Sequence, residues 1–110
     1  MSDNRVSYSN YGKNYVDIFA PGDNIMTTYT NKSLCQMRQG TSFAAPFVSG
    51  VAALLLSYNS RFTAKDLKDI ICAPNLDQYG NMISSPVKDM CISGKVLDAG
   101  AALKLAKNWR

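Results

Sequence analysis

The longest apolar run in the chain extends from Phe43 to Leu56 and is interrupted only by Pro46, Ser49 and Gly50. It predicts a helix from about Ser42 to Tyr58 that is apolar nearly all round, and such a helix is expected to be buried on all sides. Further on, Leu67, Ile70 and Ile71 recur at i, i+3 and i+4 while Lys65, Lys68 and Asp69 fall elsewhere, the pattern of an amphipathic helix over residues 64–72. Thr63 is placed to cap it, Asp66 lies in its first turn, and Pro74 stops it. Asp98 caps a last helix containing Ala101–Ala106, with Lys104, Lys107 and Arg110 near its negative end. Three β-rich stretches read as short strands: Tyr15–Phe19, closed by Pro21-Gly22; Ile25–Tyr29, after a turn at Gly22-Asp23-Asn24; and Gly94–Leu97. The remaining segments, 1–14, 31–39 and 75–93, are polar and rich in turn residues. The order is thus strand, strand, helix, helix, strand, helix, a chain of mixed helix and strand content.

Composition narrows this picture without changing it. The chain has 110 residues, 46% hydrophobic and 18% charged, which is enough for one small globular domain or part of one. Twelve basic and eight acidic residues give a net charge of +4. The basic residues are spread singly, without the clustered stripe of a nucleic-acid binder, so no nucleic-acid partner is expected. The apolar run is shorter than the roughly 20 residues that cross a bilayer, so no membrane span is expected either. Met1–Arg5 leads into polar residues and lacks the apolar core of a signal peptide. Cys35, Cys72 and Cys91 do not have metal-ligand spacing and the chain has no histidine, so no metal site is expected. Two thiol states stay open: a disulfide between Cys72 and Cys91, tying the loop between them, or three reduced cysteines. Asn31-Lys32-Ser33 fits the short glycosylation sequon.

The candidate chemistry lies at the start of the apolar run, in Gly40-Thr41-Ser42-Phe43-Ala44-Ala45-Pro46-Phe47-Val48-Ser49-Gly50. A hydroxyl here sits where a loop becomes a helix, near unpaired N–H groups and a partial positive charge. Ser42 therefore reads as an acyl-transfer nucleophile whose own N–H can help stabilise an oxyanion. Gly40 permits close approach of a substrate backbone. The plainer alternative makes Thr41 or Ser42 only an N-cap. Pro46 either loosens the first turn of a helix capped by Thr41, or is itself the first helical residue with Ser42 on the turn before it.

These residues resemble the nucleophile motif of the subtilisin-like serine proteases, Gly-Thr-Ser-x-Ala-x-Pro-His-Val-x-Gly. Val51–Leu56, Val16–Gly22 and Gly94–Ala99 are similar to the same family at about the expected spacing, so the resemblance spans nearly the whole chain. It implies the α/β fold class and a partial subtilisin-like fold, a parallel sheet with packing helices, with residues 1–110 forming the C-terminal part of an incomplete peptidase domain. It also implies a serine endopeptidase in which Ser42 is the nucleophile, supported by Gly40, Thr41 and Pro46, and whose substrate is protein or peptide. The family's catalytic Asp and His and its oxyanion Asn would precede Met1, and all eight acidic residues here are Asp outside those segments. The isolated chain is accordingly expected to be inactive, and a chain supplying the missing half of the domain is an expected partner. The alternative is a non-enzymatic segment that binds partners. No cofactor is expected in this segment, though calcium occurs in the family; the resemblance suggests a secreted or vesicular location. Two positions depart from the motif: Phe43 stands where the family often has Met, and Phe47 where it usually has a His that is not the triad base. Arg38 and Gln39 fall where the family borders its substrate cleft, and Asp17 reads as a surface acid.

Overall fold

The computed structural model describes residues 3–30 and 34–109. The sequon at Asn31 and the terminal Arg110 lie outside them. Three helices carry the core: α1 (Ala45–Tyr58), α2 (Ala64–Cys72) and α3 (Ala99–Ala106). Val51 and Leu55 of α1 meet Phe62, Ile70 and Ile71 from α2 and its approach, and Ala102 and Ala106 from α3. The small alanines let α3 lie close to the other two helices.

Local chemistry fixes the helix ends. Thr63 and Asp66 form a reciprocal capping box: the Asp66 N–H donates to Thr63 Oγ1 at 3.2 Å, and the Thr63 N–H donates to Asp66 Oδ2 at 2.9 Å. Asp66 Oδ1 also accepts from Trp109 Nε1 at 3.2 Å, which pins the end of the chain beyond α3 to the start of α2. These donors, the Thr63 backbone first and Trp109 next, hold the Asp66 carboxyl below the usual carboxylate range. Asp98 caps α3 by accepting from the Ala101 N–H at 2.9 Å.

Helix α1 departs from expectation. Its all-round apolar character predicts burial on every side, yet only Val51 and Leu55 are buried, while Phe47, Leu54, Leu56 and Tyr58 are exposed. The reason is geometric: α2 and α3 cover a single face of α1, and no element among the described residues covers the others. At about 1.5 Å per residue, the 14 residues of α1 alone are too short to cross a bilayer. Counted with the turn before it, however, Thr41–Tyr58 is an 18-residue helical stretch with the length and composition to do so. Within that stretch Val51 and Leu55 pack into the core with α2 and α3.

The β structure is smaller than the sequence suggests in one place and larger in another. Residues 16–19 and 92–97 run side by side in parallel, with the Leu97 N–H donating to Phe19 O at 2.7 Å and the Ile92 N–H to Val16 O at 2.7 Å. Only the Phe19–Val96 pair forms a bridge, so neither stretch becomes a full strand. Strand β1 (Ile25–Thr28) does form, and it pairs antiparallel with β2 (Cys35–Arg38), which no sequence feature announced. All four residues of β2 are exposed, so it lacks the alternation by which strands are recognised. The segment from Asn75 to Ser93 is a loop, as expected, with Val87 and Cys91 anchoring it in the interior.

Candidate active site

Gly40 sets the geometry of the motif. Its backbone lies at φ 144° and ψ 153°, a conformation open in practice only to glycine. Its N–H donates to Gly22 O at 2.8 Å, and its carbonyl accepts from the Phe43 N–H at 3.0 Å. The chain thus turns sharply into one 3-10 turn, Thr41–Phe43, with Ser42 at its centre. Gly22 is required on the other side: a Cβ there would come within 3.0 Å of Gly40 O and 3.3 Å of the Ala44 side chain.

The 3-10 turn leads directly into α1, whose N-cap is Ala44. Neither the turn nor the helix has a side-chain cap, so the reading of Thr41 or Ser42 as a capping hydroxyl is not what the fold uses. Pro46 occupies the first turn of α1, where a missing N–H costs nothing, and the second of the two arrangements open for it is the closer one. Ser42 is exposed, and among the described residues neither its hydroxyl nor its N–H has a hydrogen-bond partner. A hydroxyl and an N–H, both uncommitted, therefore face solvent before the positive end of a 14-residue helix. That pair can attack a carbonyl and hold the resulting oxyanion, provided a base takes the hydroxyl proton. The sequence holds no histidine to take it.

Two hollows flank the turn. One, of about 400 Å3, is lined by Asn24, Met37, Arg38, Gln39 and Phe43. Arg38 and Gln39 were singled out from the sequence. Asn24 and Met37 were not, because the β1–β2 pairing that brings them there is invisible in the sequence; the one signal was the turn at Asn24, which holds φ 52°, a conformation asparagine tolerates. The other hollow, of about 770 Å3, is a broad cleft between the N-terminal segment around Val6 and Tyr8 and the face of α1 bearing Ala45 and Val48.

The cysteines stand apart from this site. No disulfide joins Cys72 to Cys91, and all three cysteines are free thiols. Cys91 is fully enclosed, its sulfur against the carbonyls of Val87 and Lys95, so it packs as a small core residue. Burial pushes the Cys72 thiol up, with Asp17 adding to the effect. Lys95 is buried with its Nζ 3.2 Å from Asn75 Oδ1, and that burial pushes its ammonium down. Asp17 is an exposed acid, as read from the sequence, and pairs with Lys68 at 3.1 Å.

An unbonded serine on a glycine-made turn at the head of an apolar helix, in an α/β setting, is an arrangement that a serine hydrolase can use. Residues 1–83 match the Subtilase family, and the chain belongs to that family of serine-type peptidases. It is 36% identical over 100 residues to a component of the subtilase cytotoxin of Escherichia coli, a match that covers 91% of this chain and 27% of that protein. It is 35% identical over 109 residues to an extracellular basic protease of Dichelobacter nodosus, covering 90% of this chain and 17% of that protein. Among solved structures it resembles a protease from Pseudoalteromonas arctica with a TM-score of 0.71 and 31% identity, over 94% of this chain and 33% of the other. The structure is thus a partial subtilisin-like fold, and the chain spans between about a sixth and a third of these relatives.

Proposed function

We propose that residues 1–110 are the C-terminal, nucleophile-bearing part of a subtilisin-like serine endopeptidase domain, with Ser42 as the nucleophile. The observation that carries this is the exposed Ser42 with its hydroxyl and N–H uncommitted, held by Gly40 before α1. In the reaction Ser42 Oγ attacks a peptide carbonyl, and a histidine from another part of the domain takes its proton. The Ser42 N–H then donates to the oxyanion, and the histidine returns the proton to the leaving amine. Gly40 and Thr41 shape the turn and Pro46 starts the helix. By itself the chain supplies no base and is inactive, so it works joined to, or associated with, the segment carrying the Asp, His and oxyanion Asn. The exposed apolar sides of α1 and the broad cleft beside it support such a companion. The names of extracellular relatives favour a secreted protein.

The test is fluorophosphonate labelling of the polypeptide as isolated from its source. Label is expected on Ser42 and absent from the Ser42→Ala variant. Label at another serine, or none in a protein that carries the Asp and His segments, refutes the assignment.

A further inference from the structure

Beside the turn that carries Ser42 lies a pocket lined by Arg38, a cation without a carboxylate partner among the described residues, and we infer that it selects an acidic side chain of the peptide substrate, with Arg38 as the selecting group. This rests on the reading of Ser42 as nucleophile. The pocket shares its backbone with the Ser42 turn on both sides: Gln39 and Arg38 lead into Gly40, and Phe43 follows Ser42 directly. A peptide bound across Ser42 therefore places a side chain within the pocket's reach.

The charge in the pocket is one-signed. Asn24 and Gln39 contribute neutral amides, Met37 and Phe43 contribute apolar surface, and Arg38 is the charged lining residue. Its guanidinium lies 4.5 Å from the centre of the Tyr29 ring, an aromatic face that orients the planar fork. Among the described residues no carboxylate lies within ion-pair distance of Arg38, and its N–H groups donate no hydrogen bond. The nearest acid in sequence, Asp23, is engaged by the backbone N–H of Asn24 at 3.0 Å. A fork of donors, stacked in place and unpaired, matches the two oxygens of a carboxylate. Lysine or arginine in the same substrate position would meet like charge.

The experiment uses the full-length polypeptide and matched peptides with Glu, Gln or Lys at each position within three residues of the scissile bond. The peptides are amidated at the C-terminus so that only side chains offer a carboxylate. Wild type is expected to show a higher kcat/KM for Glu than for Gln at one position. Arg38→Gln brings that ratio towards one, and Arg38→Glu reverses it in favour of Lys. The ratio should shift by about two- to fivefold, the scale of one partly exposed ion pair. Arg38→Lys keeps part of the preference, having the charge but not the fork. A wild-type protein whose Ser42 takes the fluorophosphonate but shows no acidic preference, or whose preference survives Arg38→Glu, overturns the pocket assignment and leaves the nucleophile standing. Failure of wild-type Ser42 to label overturns both.

Discussion

Replacing Gly40 by alanine tests the link between backbone and chemistry. At φ 144° and ψ 153° an L residue carries strain of order 1–3 kcal/mol, because this region is essentially reserved for glycine. Space is not the obstacle, since the nearest atoms to an added Cβ are Phe43 Cδ2 at 3.5 Å and Cε2 at 3.7 Å, an ordinary contact. The backbone can escape the strain only by rotating Gly40. That loosens the bond to Gly22 O and the one from the Phe43 N–H, each worth about 1 kcal/mol net. Either way the protein loses on the order of 1–3 kcal/mol, and in the second case Ser42 moves with the turn. A displacement near 1 Å at a reacting group costs about a hundredfold in rate, so labelling of Ser42 by a fluorophosphonate should slow at least tenfold. Gly80→Ala is the control: φ there is 83° with nothing within 4 Å, and the residue sits in the loop between α2 and α3. It should cost about 1–2 kcal/mol in thermal unfolding while leaving labelling unchanged. Should Gly40→Ala label at the wild-type rate and unfold at the wild-type temperature, the claim that this glycine sets the position of Ser42 is wrong.

Two other outcomes are expected. Asp66 has a folded-state pKa below its ordinary value, so its stabilising contribution is present above pH 3.8 and is lost as pH falls through the folded value. The stability gap between wild type and Asp66→Asn, followed by circular dichroism, should therefore be open at pH 6 and narrow as pH falls below 3.8; a gap that is constant or widens with acid contradicts it. Alkylation of the native protein by iodoacetamide, with sites read by mass spectrometry, should modify exposed Cys35 first and enclosed Cys91 last, with Cys72 slowed by its raised thiol pKa. Early modification of Cys91 would show that the loop from Asn75 to Ser93 does not pack as described.

The site was more legible in the sequence than the fold around it. Gly40-Thr41-Ser42 before an apolar run marked the sharp turn and the helix start, since a special backbone conformation and a local helix start are both written in adjacent residues. Thr63, Asp66 and Asp98 were readable as caps for the same reason, because a cap acts over three residues. What failed depended on distant partners. Strand β2 exists because β1 pairs with it, and Cys35–Arg38 carries no pattern of its own. The all-round apolar character of α1 states what a complete domain would bury, whereas the fold described here covers only Val51 and Leu55. The sequence left a Cys72–Cys91 disulfide open, a choice decided by placement in space, and the two thiols are separate.

The hydrogen bond from Trp109 to Asp66 also makes an optical probe. Trp109 is the single tryptophan in the sequence, so among these 110 residues only one indole fluoresces. It sits where the chain after α3 meets the first turn of α2, with its Nε1–H on a carboxylate. Its emission therefore reports whether that joint is closed, independently of the state of the Ser42 turn, and lets the seating of α3 be followed in real time.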